Sequence, residues 1–171
     1  SRLQTPSLRI GYGFDIHAFT DNRSLILGGV EIPHSRGLAG HSDADVLLHA
    51  VTDGVLGALA WGDIGRWFPN TDETYRNADS KELFHKVWRK CREAGWSLVN
   101  CDCVVITEEP RLSGHASAIC ESLAQLFGAE TGQISVKSKT MEHLGALGRK
   151  EGIAATAVVL LYQADCSTPS Q

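Results

Sequence analysis

Asp15 and His17 stand two residues apart in a segment of extended character, and side chains at i and i+2 of a strand project to one face. A carboxylate and an imidazole can therefore converge there on one cation. Taken alone, the pair reads as well as a turn cap beside a strand end. A second cluster adds weight: His41-Ser42-Asp43-Ala44-Asp45 is followed by His49, and Asp45 and His49, four residues apart, share a helix face. Catalytic zinc takes three protein ligands from His, Asp and Glu and keeps a fourth position open for water or substrate. Asp15, His17 and one further histidine satisfy that count. Spacing does not choose between His41 and His49, and His41, Asp45 and His49 form a competing set on one helix.

Further along, Lys137 and Lys139 alternate on one strand face and lead into Thr140-Met141-Glu142, which gathers bases, a hydroxyl and a carboxylate within one turn. Such a group suits a phosphate with magnesium, which takes one or two carboxylates beside substrate oxygens. It reads equally as a solvated strand end. Arg149, Lys150 and Glu151 lie between glycines in the segment from Gly145 to Gly152, which reads as a flexible turn rather than an anion-binding loop. Gly62-Asp63-Ile64-Gly65, ahead of Trp67-Phe68-Pro69-Asn70, is a glycine-punctuated loop that either binds ligand or reverses the chain. His34, His85 and His115 have no convergent partners in the linear pattern and are read as surface or helix-face histidines.

The elements that must position these residues follow from periodicity. Leu8 to Ile16 predicts a strand, and Leu25–Leu27 and Val30–Ile32 flank Gly28-Gly29, a pair suited to a two-residue hairpin turn. Ser42 as N-cap, acidic residues in the first turn and apolar Val46, Leu47, Val51, Val55 and Leu59 predict a helix over 43–60. Ser80 as cap, with Leu83, Phe84, Val87, Trp88 and Cys91 at three- and four-residue steps and Gly95 as stop, predicts a second. Strands over 98–107, 134–138 and 153–162 and a helix over 115–127 complete the pattern. The expected fold class is α/β, an α+β sandwich: one domain over 8–163, with helices on one face of a mixed sheet and loose termini at 1–7 and 164–171. The near-continuous apolar run from Ala154 to Leu161 predicts a strand covered on both faces, the second cover being another subunit.

Composition removes several function classes. With 171 residues, 43% apolar and 21% charged, the chain has the make-up of one ordinary globular domain. A net charge of −4 without a basic run argues against nucleic acid as partner. No apolar stretch approaches the roughly 20 residues of a membrane span. Five cysteines without CxxC spacing indicate neither a disulfide framework nor a thiolate zinc site, and favour a reducing compartment. A structural-metal binding module would want such cysteines; a zinc hydrolase of phosphoesters or pyrophosphate is the nearer rival.

Taken together, Arg9-Ile10-Gly11-Tyr12-Gly13-Phe14-Asp15-Ile16-His17, the run from Gly40 to His49, Gly62 to Gly65 with Phe68-Pro69, and Gly148 to Ala154 resemble the 2-C-methyl-D-erythritol 2,4-cyclodiphosphate synthase family. The resemblance runs from Leu8 to Gln163, with motifs in the family's order. It implies a phosphorus-oxygen lyase of non-mevalonate isoprenoid biosynthesis that turns 4-diphosphocytidyl-2-C-methyl-D-erythritol 2-phosphate into the cyclic diphosphate and CMP. It also implies a homotrimer with active sites between subunits, cytoplasmic in a bacterium and plastid-type in a eukaryote. By the family pattern the metal ligands are Asp15, His17 and His49, zinc being expected, one per subunit. His41 and Thr140 serve the transition state, and Glu142 contacts a magnesium or manganese ion on the diphosphate. Asp63, Ile64 and Gly65 hold the methylerythritol part beside a loop of Phe68, Pro69, Asn70, Thr71 and Asp72, with Ser42 also near substrate. The cytidine side matches Thr107, Glu108, Glu109, Pro110, Arg111, Leu112 and Ser113 with Lys139, Thr140, Met141 and Glu142 of the adjacent subunit. Arg149 matches a phosphate position at the trimer axis. Ala146 departs from a phenylalanine common in the family at the central cavity, and Lys139 and Met141 replace smaller or hydroxyl-bearing residues.

Overall fold

Alternation of inward and outward residues starts the chain as one long strand, β1 (Leu8–Thr20), and the computed structural model describes residues 7–164 in all. A hairpin of β2 (Leu25–Leu27) and β3 (Val30–Ile32) turns on Gly28 and Gly29, whose φ values of 61° and 79° are those the pair was expected to allow. After β4 (Gly37–Leu38) come α1 (Val46–Ala58), a single turn α2 (Ile64–Trp67) and α3 (Ser80–Glu93). Then follow β5 (Trp96–Ile106), α4 (Ala116–Phe127), β6 (Ile134–Lys139), a second single turn α5 (Gly145–Gly148) and β7 (Gly152–Gln163). The loose termini expected at 1–7 and 164–171 lie, apart from Ser7 and Ala164, outside the described residues.

Five strands form one mixed sheet in the order β4-β1-β7-β5-β6, antiparallel except for the parallel β5–β6 pair. The strand pairs Asp15 with Ala155 and Ala155 with Val105, so the C-terminal ends of β1, β5 and β6 lie at one end of the sheet. The core sits between the sheet and helices on one face, as expected. Leu47, Val51, Val55, Phe84, Val87, Ile119 and Leu123 from the helices meet Ile153, Ala155, Ala157, Val159 and Leu161 of β7. On the opposite face Leu8, Ile10, Tyr12, Phe14 and Ile16 of β1 stand 50–70% exposed, next to Val158 and Tyr162 of β7. The outer side of the apolar β7 run is thus uncovered within one chain.

Differences from expectation at two helix starts lead to the site. The first helix begins at Val46, not at residue 43, because Ala44 has φ 57° and cannot be helical; its N-cap is Asp45, not Ser42. Asp45 is fully buried and accepts from the N–H groups of Leu48 (2.9 Å), Gly28 (2.9 Å) and Gly29 (2.7 Å), pinning the hairpin turn to the helix. The cap of α3 is Asp79, which leaves the Ser80 hydroxyl free to face elsewhere. Glycine decides how closely α1 lies on the sheet. A Cβ on Gly11 would fall 1.8 Å from the Gly54 carbonyl oxygen, and one on Gly13 1.8 Å from that of Ala50. Only a strand without side chains at these two points lets helix backbone rest on it.

Candidate metal centre

That close approach brings Asp15 and His17, on the helix-facing side of β1, up to His49 in the second turn of α1. Asp15 Oδ2 lies 2.8 Å from His17 Nε2 and 3.1 Å from His49 Nδ1. One ligand atom from each residue fits within 4.8 Å of the other two, and this is the one such His/Cys/Asp/Glu group among the described residues. Side-chain exposures of 26, 21 and 11% for Asp15, His17 and His49 leave the group partly open to solvent.

The donor set fits a divalent cation for reasons visible in the hydrogen bonds. His17 Nδ1 donates to the Ala39 carbonyl oxygen (2.7 Å), which fixes the tautomer and leaves Nε2 with a lone pair. That Nε2 is buried, off the line of any hydrogen bond, and so is an unsatisfied nitrogen aimed at the centre. His49 Nε2 is engaged by Ser80 Oγ (2.9 Å) and Ser42 Oγ (3.2 Å), which leaves Nδ1 on the same centre. Burial works against ionising Asp15, but the contacts and charges of His17 and His49 outweigh it and bring the carboxyl down to about 2. Burial likewise opposes charge on His17, and the Asp15 carboxylate prevails there to raise its pKa. Two imidazoles and a carboxylate suit zinc and its first-row neighbours better than calcium or magnesium.

The competing all-helix set is excluded by position. Asp45 points away from His49 into the hairpin turn, and burial pushes its carboxyl up to about 6 against the pull of its three backbone donors. His41 precedes the helix; its Nε2 approaches the Asp72 carbonyl oxygen at 3.3 Å.

Asp15, His17 and His49 floor a cavity of about 210 Å³ that His41, Ser42, Ile64, Gly65, Phe68 and Asn70 also line, together with Tyr75 and Leu83, which sequence reasoning missed. Asp63 caps α2 by accepting from Arg66 N–H (2.8 Å), and Asp72 caps a following turn through Thr74 N–H (2.9 Å). Pro69 and Thr71 are exposed between them. Asp53, four residues after His49, accepts from Ile64 N–H (2.7 Å) and ties this loop to α1; burial raises its pKa. Its i+4 spacing from His49 was the available signal. Ser80, 31 residues from His49, gave none.

A second cleft, of about 170 Å³, collects Thr107, Glu108, Pro110, Arg111, Leu112, Ser113, Lys139 and Thr140. Glu108 Oε1 is occupied by Met141 N–H (2.8 Å) and His143 N–H (3.3 Å), holding a loop in which Glu142 and His143 have φ of 52° and 63°. Glu109 pairs with Lys150 (2.6 Å) and Arg149 with Glu151 (2.7 Å). Lys137 pairs with Asp102 (2.8 Å). The cleft shares no lining residue with the metal cavity: β6 is three strands from β1, roughly 14 Å at ordinary strand spacing. Within one chain Thr140 and Glu142 therefore do not meet Asp15, His17 and His49.

Comparison with known proteins shows the family. Residues 8–162 match the YgbB family. A protein of Shouchella clausii named 2-C-methyl-D-erythritol 2,4-cyclodiphosphate synthase is 50% identical over 158 residues, 92% of this chain and 99% of its own. Among solved structures, a CDP complex of IspF from Plasmodium falciparum superposes with TM-score 0.83 at 32% identity, covering 95% of this chain and 100% of that one. The bifunctional IspDF of Campylobacter jejuni gives TM-score 0.89 at 42% identity over 94% of this chain, which corresponds to 44% of that longer protein. By sequence over nearly its whole described length, and by fold, the chain belongs to the YgbB family.

Proposed function

We propose that this chain converts 4-diphosphocytidyl-2-C-methyl-D-erythritol 2-phosphate into 2-C-methyl-D-erythritol 2,4-cyclodiphosphate and CMP, with zinc held by Asp15, His17 and His49. The observation that carries the reading is the three-ligand group at the floor of an open cavity, in a chain 50% identical to a synthase of that name. An oxygen of the 2-phosphate attacks the β-phosphorus, the bond to the CMP oxygen breaks, and CMP leaves. No protein nucleophile is needed. The divalent metal, when bound, supplies positive charge to the phosphoryl oxygens.

The chain's own residues position and surround. His41 stands at the cavity wall, where its imidazole N–H, 3.3 Å from the Asp72 carbonyl oxygen, would turn to an equatorial phosphoryl oxygen. Asp63 uses Oδ1 for its cap and keeps Oδ2 for a diol hydroxyl, with Ile64 and Gly65 alongside and the 68–72 loop closing over them. Such anchoring folds the substrate back so that attacking and leaving oxygens lie in line, the larger part of the barrier in an internal transfer. The second cleft takes the cytidine, and Thr140 and Glu142 on its rim serve the diphosphate and a magnesium ion. Arg149, exposed and paired to Glu151, is assigned to phosphate at the trimer axis.

Cavity and cleft lie at the same end of the sheet but three strands apart, so a complete site would draw on the cleft of a neighbouring chain. The exposed apolar stripe of β1 offers the surface on which three copies would join. Bacterial relatives support a cytoplasmic setting. The test is incubation with the cytidyl substrate, zinc and magnesium, followed by mass spectrometry. Release of CMP with the cyclic product is expected; a linear product would indicate hydrolysis, and absence of both products would overturn the assignment.

A further inference from the structure

We propose that Ser80, oriented by Asp43, is a positioning residue that fixes the ring tautomer of His49 and so presets Nδ1 as a metal ligand. The inference rests on the metal reading above but concerns residues on two other elements. A ligating imidazole nitrogen must carry a lone pair, which requires the proton to sit on the other ring nitrogen. For His49 that other nitrogen is Nε2, 2.9 Å from Ser80 Oγ. A serine hydroxyl can donate or accept, so by itself it would leave the tautomer open.

Asp43 closes that choice. Its Oδ1 is hydrogen-bonded to Ser80 Oγ and its Oδ2 accepts from Ser80 N–H (3.1 Å). An ionised carboxylate only accepts, so the single hydroxyl proton of Ser80 is committed to Asp43 and its oxygen lone pairs face the ring. Nε2 must then hold a hydrogen and donate it. Ser42 Oγ, 3.2 Å from the same nitrogen, can accept from it as well. Ser80 is 1% exposed, Ser42 8% and His49 9%, so water has little access to satisfy Nε2 in either sense. His17 reaches the same end by a simpler route, through a backbone carbonyl that can only accept. The first residue of α3 is thereby locked to the histidine of α1, and the helix whose apolar stripe builds the core also aims a ligand.

The test uses metal-free protein titrated with zinc against a chromophoric chelator, with His49→Ala as background and the melting temperature of each metal-free variant recorded. Ser80→Ala is expected to bind zinc about tenfold more weakly, Ser42→Ala/Ser80→Ala up to about a hundredfold more weakly, and Ser80→Thr, which keeps the hydroxyl, close to the parent. Zinc affinities of the Ala variants equal to the parent's would overturn the proposal. So would losses that Thr does not rescue and that track a fall in metal-free melting temperature, since those assign Ser80 a packing role alone. A parent protein that binds no more zinc than the His49→Ala background removes the metal reading itself, a result distinct from both.

Discussion

Gly13→Ala is the perturbation that most directly tests how the fold builds the site. Its Cβ would lie 1.8 Å from the Ala50 carbonyl oxygen and 2.8 Å from the Gly54 nitrogen, both helix backbone that no rotamer change can move. A normal van der Waals contact needs about 3.5 Å, so β1 and α1 must part by about 1.7 Å. Nearly all of α1 is buried, so the helix has no free direction in which to yield. Overpacking of this kind costs about 3 kcal/mol, which for a chain of this size lowers the melting temperature by roughly 6–12 °C. The site suffers as well, because Gly13 is two residues from Asp15 and Ala50 is next to His49. Zinc bonds of about 2 Å cannot bridge a ligand set opened that far, and zinc affinity should fall more than about a hundredfold. Gly132→Ala is the control: nothing lies within 4 Å of its added Cβ. Its stability should change by less than about 0.5 kcal/mol. Thermal unfolding at fixed protein concentration and chelator competition measure both variants. If Gly13→Ala matched Gly132→Ala in melting temperature and zinc affinity, the close helix–strand approach would not be what assembles the ligands.

Stability of the metal-free protein should depend on pH in a direction set by two groups. Asp15, brought down to about 2, contributes fully above about pH 4 and loses its contribution, about 2 kcal/mol, as the pH falls toward 2. His17, raised, contributes fully below 6.5 and loses its contribution as the pH rises through the raised value. Chemical denaturation across pH should therefore show metal-free stability declining above neutrality while zinc affinity climbs, since ligation needs neutral rings; parallel trends would contradict the site. Glu108→Ala frees two N–H groups in the loop carrying Thr140 and Glu142 and should lower turnover by about a hundredfold at unchanged zinc content. Glu108→Gln, keeping an acceptor oxygen, should retain most activity, and equal losses in the two variants would assign Glu108 a charge role instead. Glu142→Gln should weaken the magnesium requirement while zinc content stays constant, and an unchanged magnesium titration would remove that residue from the second cation.

Periodicity and turn chemistry made most elements readable, because each rests on neighbours in the chain: the Gly28-Gly29 hairpin, the apolar stripe of α3 and the stop at Gly95 are local in cause. Boundaries went astray where a side chain had a distant partner. Asp45 displaced Ser42 as cap because its carboxylate also binds the hairpin turn, and Ser80 yielded its cap role to Asp79 because its hydroxyl faces Asp43 and His49. By itself the sequence determined that Asp15 and His17 share a face, since strand geometry repeats every two residues, and family resemblance chose His49. Only the tertiary structure decided why that choice holds. Bare glycine surface on β1 seats α1 within reach, Ala44 turns the chain so that the helix starts only at Val46, and Ser80 arrives from α3 to hold the ring. It also separated Thr140 and Glu142 from the metal ligands by three strands of the sheet, because strand order is a property of long-range pairing that no local pattern encodes.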